Sequence, residues 1–147
     1  MDKPRFVYVT YISTTPEMLW NALIDARMTT QYWQHVNVSD WKPGSRWEHR
    51  RENKDGPVLL VGKVLESAPP RRLVLSWADP ADEKKEAAHT RVTFELEPMK
   101  GVVRLTVTHD HFDGNPAMLD GISDGWPKVL SSLKTLLEGG SALPKLW

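Results

Sequence analysis

The chain has 147 residues, with nineteen Lys plus Arg against nineteen Asp plus Glu and no cysteine. That length suits one domain over 1–147. The charge balance argues against a nucleic-acid face, which shows a basic excess. The missing thiol excludes disulfides, Cys-based zinc, iron–sulfur clusters and a cysteine nucleophile. The longest run of Val and Leu is Val58 to Val61, far short of the roughly 20 apolar residues that span a bilayer, so no membrane insertion is expected. The N-terminal residues lack an apolar h-region, so a cytoplasmic location without a signal peptide is expected. Seven tryptophans stand against three tyrosines and three phenylalanines. Each is a large apolar body with an N–H that needs a partner, so together they must fill a core, line a cavity or make an interface.

Arg5 to Ser13 alternates apolar residues on both faces and reads as a strand covered on part of each. Thr15 and Pro16 then suit the N-cap and first position of a helix carrying Met18, Leu19, Ala22 and Leu23. Asp25 and Ala26 interrupt it, and a short second helix is expected over Met28 to Trp33. Trp41-Lys42-Pro43-Gly44 is a turn, Ser45 to Arg51 a strand, and Asn53 to Gly56 a hairpin turn. Pro57 to Glu66 forms the next strand; Gly62 inside it marks a bulge, bend or close approach. Arg72 to Trp77 follows Pro69-Pro70, and Asp79 to Ala88 reads as a solvated, charge-dense loop without a site. Thr90 to Glu97 places Val92, Phe94 and Leu96 inward; Val103, Leu105, Val107 and His109 share a face of the next strand. Leu119, Ile122, Trp126, Val129, Leu130, Leu133, Leu136 and Leu137 form one apolar helical stripe that ends at Gly139-Gly140. Pro127 should start that helix near Asp124 or bend it. The order is strand, two short helices, five or more antiparallel strands, then one long helix to cover the apolar face.

Several blocks together resemble one family: FVYVTYISTTPEMLWNALID, QYW, SDWKPGSRW, GKVLESAPPRRLVLSW, RVTFELEP, RLTVTHDHF and GWPKVLSSLKTLLE. They resemble the SRPBCC or START-like superfamily, in the branch named after the activator of the ninety-kilodalton heat-shock protein ATPase. The resemblance covers nearly the whole chain. It implies an α+β helix-grip fold: a curved antiparallel sheet of six or seven strands gripping a long C-terminal helix, with a hydrophobic cavity between them. Relatives bind apolar molecules and some cyclise or aromatise polyketides; the branch name does not by itself imply co-chaperone work, and a chaperone is kept only as the lesser alternative to a small-molecule partner.

By alternation, Trp47, His49, Trp77, Phe94 and His109 point inward; Trp126 lies on the stripe of the covering helix, and Trp33 and Trp41 sit where a cavity mouth would be. With Phe112 they are the expected lining of a site for a small hydrophobic or aromatic ligand. Trp20 is expected to pack the first helix, and Trp147 to be free. His49 and His109 are the candidate acid–base groups, with Glu48 and Asp110 as orienting residues, if an enzyme acts there. His109-Asp110-His111 offers two imidazoles two residues apart, but no third ligand beyond Asp113 or His49, so no metal is expected. No G-x-S-x-G elbow or Gly-rich phosphate loop is present, and no cofactor is implied. Three readings follow: a binding protein, a cyclase- or hydrolase-type enzyme in the same cavity, or a chaperone-linked module displaying its tryptophans as an exposed patch.

Overall fold

The computed structural model describes residues 3–147. Seven strands make one antiparallel sheet: β1 (Phe6–Ile12), β2 (His35–Val38), β3 (Arg46–Arg51), β4 (Val58–Ala68), β5 (Arg72–Trp77), β6 (Thr90–Pro98) and β7 (Val103–Asp110), in the order β1-β7-β6-β5-β4-β3-β2. Helices α1 (Pro16–Ile24) and α2 (Ala26–Trp33) follow β1, and α3 (Met118–Gly139) covers the inner face. This is the α+β helix-grip arrangement expected. Two short 3-10 turns, Pro80–Asp82 and Glu86–Ala88, interrupt the loop after β5.

Local chemistry explains the boundaries. Thr15 Oγ1 accepts from the Met18 N–H at 3.2 Å and opens α1 behind Pro16. Asp25 ends α1 and also caps α2, its Oδ1 accepting from the N–H groups of Arg27 and Met28. That double duty explains why the helical pattern breaks there, and why α2 begins two residues earlier than expected. Strand β2 is absent from the sequence-based expectation. Its four residues, HVNV, are too short to separate from the helix before them, and only pairing with β3 makes them a strand. At the other edge, Val7, Val9 and Tyr11 of β1 are nearly half exposed, so the outer face of this strand is bare instead of covered.

Gly62 sits opposite Trp47 in the β3–β4 register. A Cβ there would lie 2.5 Å from Trp47 Nε1 and closer still to the Ser76 carbonyl. Of the three meanings a strand glycine can have, this one is close approach: the indole lies against the bare backbone and donates to Ser76 O at 2.8 Å.

Helix α3 does not start near Asp124; it begins at Met118 and carries Pro127 inside it. The hydroxyls of Ser123 and Ser131 bond back to the carbonyls of Leu119 and Pro127 at 2.6 Å, supporting the turns on either side. Gly140 ends the helix with φ +78 and an N–H bonded to Leu136 O. Packing along α3 is uneven. No residue of its first two turns is buried, whereas Trp126, Val129, Leu130, Ser132, Leu133 and Leu136 all are. The Ser132 hydroxyl donates to Tyr32 O at 2.7 Å and ties this half to α2.

Candidate functional site

Alternation brings Trp47 and His49 of β3, Trp77 of β5, Phe94 of β6 and His109 of β7 to the inner face; Trp33 of α2 and Trp126 of α3 join them, and Phe112 follows from the segment after β7. Trp77 is central. Its ring lies 4.7 Å from Trp47, 5.4 Å from Trp126, 5.8 Å from His109 and 6.3 Å from Trp33. Trp33 lies 4.6 Å from His49 and 5.5 Å from Trp126; Phe94 meets Trp126 edge-on at 5.9 Å, and Phe112 stacks on His109 at 5.0 Å. These tilted and edge-to-face contacts suit the ring quadrupoles. All eight residues are buried.

A chain of hydrogen bonds runs through part of the cluster. Trp126 Nε1 donates to His109 Nδ1 at 3.1 Å, His109 Nε2 donates to Thr90 Oγ1 at 2.8 Å, and the Thr90 hydroxyl donates to Trp77 O. That chain requires a neutral His109 with its proton on Nε2. Burial agrees, holding His109 at about 3. His49 bonds Asn37 Oδ1 through Nδ1 at 2.6 Å, and burial, with the neighbouring His35 second, holds it at about 3. Burial, then Lys145 and Arg51, lower His35 to about 4. His111 departs from the two-residue rule. It follows the last residue of β7, at φ +63, so it swings outward and bonds Asp110 while His109 faces in. Among the described residues, no three His, Asp or Glu side chains converge as a metal site.

Open space lies beside the cluster, at the first turns of α3. A cavity of about 330 Å³ is lined by Leu60, Trp77, Met118 and Ile122, with Asp79 and Asn115 at its polar side. A second, of about 140 Å³, lies between Trp33, Trp126, Val129 and Trp147. Gly121 and Ile122 border both. Trp147 closes the smaller one and donates to Trp33 O at 2.9 Å, so it is not the free residue expected.

A family model described as activator of Hsp90 ATPase homolog 1-like protein matches residues 13–138. The chain belongs to this family. No curated protein sequence matches it. Among solved structures, protein MLL2253 from Mesorhizobium loti is 28% identical, with a TM-score of 0.72 over 91% of this chain and 96% of that one. An HSP90 activator from Plasmodium falciparum is 23% identical, with a TM-score of 0.72 over 90% and 95%. CalU16 from Micromonospora echinospora is 17% identical, with a TM-score of 0.71 over 92% and 77%. The last two share the fold.

In this family member the residues singled out by sequence are distributed as follows. Trp33, Trp47, His49, Trp77, Phe94, His109, Phe112 and Trp126 meet in one ring cluster; Trp41, partly buried at φ +60, packs at the margin of the core. Of these nine, Trp33, Trp77 and Trp126 border the two cavities, and neither His49 nor His109 does. Sequence reasoning missed Leu60, Met118, Gly121, Gly125 and Trp147. Gly121 and Gly125, four apart on the covering helix, were the available signal of a lightly filled face. No described helix is long and apolar enough to cross a membrane.

Proposed function

We propose that the chain is a cytoplasmic binding protein for a small hydrophobic or aromatic molecule, held where the first turns of α3 meet Trp33, Trp77 and Trp126. One observation carries this reading. Two apolar cavities share Gly121 and Ile122, in the part of α3 that buries no side chain completely. A small displacement of those turns joins the two spaces into a volume within the roughly 300–1,000 Å³ of small-molecule sites. The ring cluster forms a rigid wall, and Asp79 and Asn115 supply the few polar groups that orient a ligand.

Acid–base catalysis draws less support. Both nitrogens of His109 are engaged within the cluster, and neither candidate histidine borders the space. A chaperone-linked role, which the name of the Plasmodium falciparum relative raises, would be favoured by an exposed tryptophan patch. Five of the seven tryptophans are instead buried.

Titration of the ¹⁵N-labelled chain with 2-naphthol tests the binding reading. Saturable shifts at the amides of Gly121, Ile122, Gly125 and Trp147, with a change in tryptophan fluorescence, are expected. Shifts confined to other regions, or none at the solubility limit, overturn it.

A further inference from the structure

A larger cleft, of about 600 Å³, lies on the opposite face of the sheet. Its floor is a single cross-strand row. Arg46 of β3 faces Lys63 of β4, Ser76 of β5 faces Arg91 of β6, and Arg91 faces Asp110 of β7. The Lys63 N–H donates to Ser76 Oγ at 2.8 Å, which joins β4 and β5 in the same row. These residues alternate with Gly62, Trp77 and Val92, which face the core, so the row faces outward. The roof is the loop after β5. His89 fastens it: Nε2 donates to the carbonyls of Asp82 and Glu83 at 3.1 and 2.9 Å, and Nδ1 bonds Ser76 Oγ at 3.2 Å.

The charges of the cleft do not cancel. Arg46 and Glu83 neutralise one another through two bonds of 2.6 and 3.1 Å, with Glu48 on the other side of the guanidinium. Asp110 lies opposite Arg91 at the end of the row and hydrogen-bonds His111. Lys63, Lys84 and Arg91 line the cleft and form no ion pair among the described residues, and Glu86 and Asp110 are the two acids set against these three cations. Small Ser76 between two long cations makes the hollow, and exposed Leu65 gives it an apolar side. Three cations held around a half-enclosed space are paired most favourably by an anion, and the Arg fork suits a carboxylate or phosphate.

We propose that this outer cleft binds a small organic anion, a carboxylate or phosphate on an apolar body. Lys63, Lys84 and Arg91 take the charge and Leu65 takes the body. The site is separate from the inner cavities and stands whether or not those bind a ligand.

The test titrates the ¹⁵N-labelled chain with phenyl phosphate and, separately, benzoate. Saturable shifts at the amides of Lys63, Ser76, Lys84 and Arg91 by either probe uphold the proposal, and the tighter probe identifies the head group. Lys63→Glu and Arg91→Glu should each weaken binding by about tenfold or more. Lys100→Glu makes the same charge change on the β6–β7 turn and should leave it unaltered. The amide spectrum reports folding of each variant, and Lys63→Gln and Arg91→Gln replace any that unfolds. The proposal fails if neither probe saturates at millimolar concentration. It fails if Lys100→Glu weakens binding equally, since general attraction then accounts for it. It also fails if the shifts fall on Gly121 and Ile122, and 2-naphthol binding by the Lys63 variant reports that inner site independently.

Discussion

The two halves of α3 share one helix and one sheet yet differ in what they bury. From Trp126 onward the helix is locked: Leu130 and Leu133 are sealed, and Ser132 bonds the end of α2. Before Trp126 it carries Gly121 and Gly125, buries Met118 and Ile122 only in part, and borders two cavities. A close-packed interior transmits every lost methylene into stability, whereas a loosely covered one leaves room to move. The locked half holds the fold, and the loose half is free to open.

The contrast is sharpest by truncation. Leu133→Ala should cost about 2–5 kcal/mol in urea unfolding, because it empties a sealed position. Ile122→Ala, at a position already beside open space, should cost about 1 kcal/mol or less. Equal costs would dissolve the distinction between the halves. Acid probes the wall between them. His49 and His109 are held at about 3, below the about 6.5 of the unfolded chain. Their contribution is fully present above pH 6.5. As pH falls toward 3 the unfolded chain binds protons that the folded rings refuse, so stability falls by about 1.4 kcal/mol per pH unit for each. Urea midpoints at pH 7, 6 and 5 read this directly; a flat profile would mean that the rings take up protons in the folded state. Gly62→Ala should cost about 3 kcal/mol, the upper end of overpacking, because its Cβ would strike the Ser76 carbonyl and push Trp47 off the sheet. Its tryptophan emission should change together with stability, and an unchanged spectrum would show that the wall tolerates displacement.

Much of this architecture is legible along the chain. Period-2 alternation gives β6 and β7, the Thr15-Pro16 pair gives the start of α1, and the glycine pair gives the end of α3. These signals are local, carried by capping chemistry and by one buried face per element. Elements whose reason is a distant partner are not legible. Strand β2 exists because β3 pairs with it, and β1 is bare because it lies at an edge. The aromatic cluster is legible as a set of inward positions, since Trp47, His49, Trp77, Phe94 and His109 follow from strand parity. Its consequence is not: alternation says which way a ring points and nothing about whether another ring already fills the space. The loop after β5 reads as solvated surface, yet it roofs a cleft, because His89 reaches its carbonyls only after β5 and β6 pair.

The sequence by itself determined a sheet with one apolar face, a long helix to cover it, and a family to which both belong. It also determined that the tryptophans would gather, because burying large rings is favourable and the strands aim them together. Only the tertiary structure decided that five of the seven fill the interior, that Trp147 closes a gap beside Trp33, and that open volume lies along the first turns of α3 and across the outer row. Volume is what remains when all side chains have been placed at once, and no local pattern along a chain encodes that remainder.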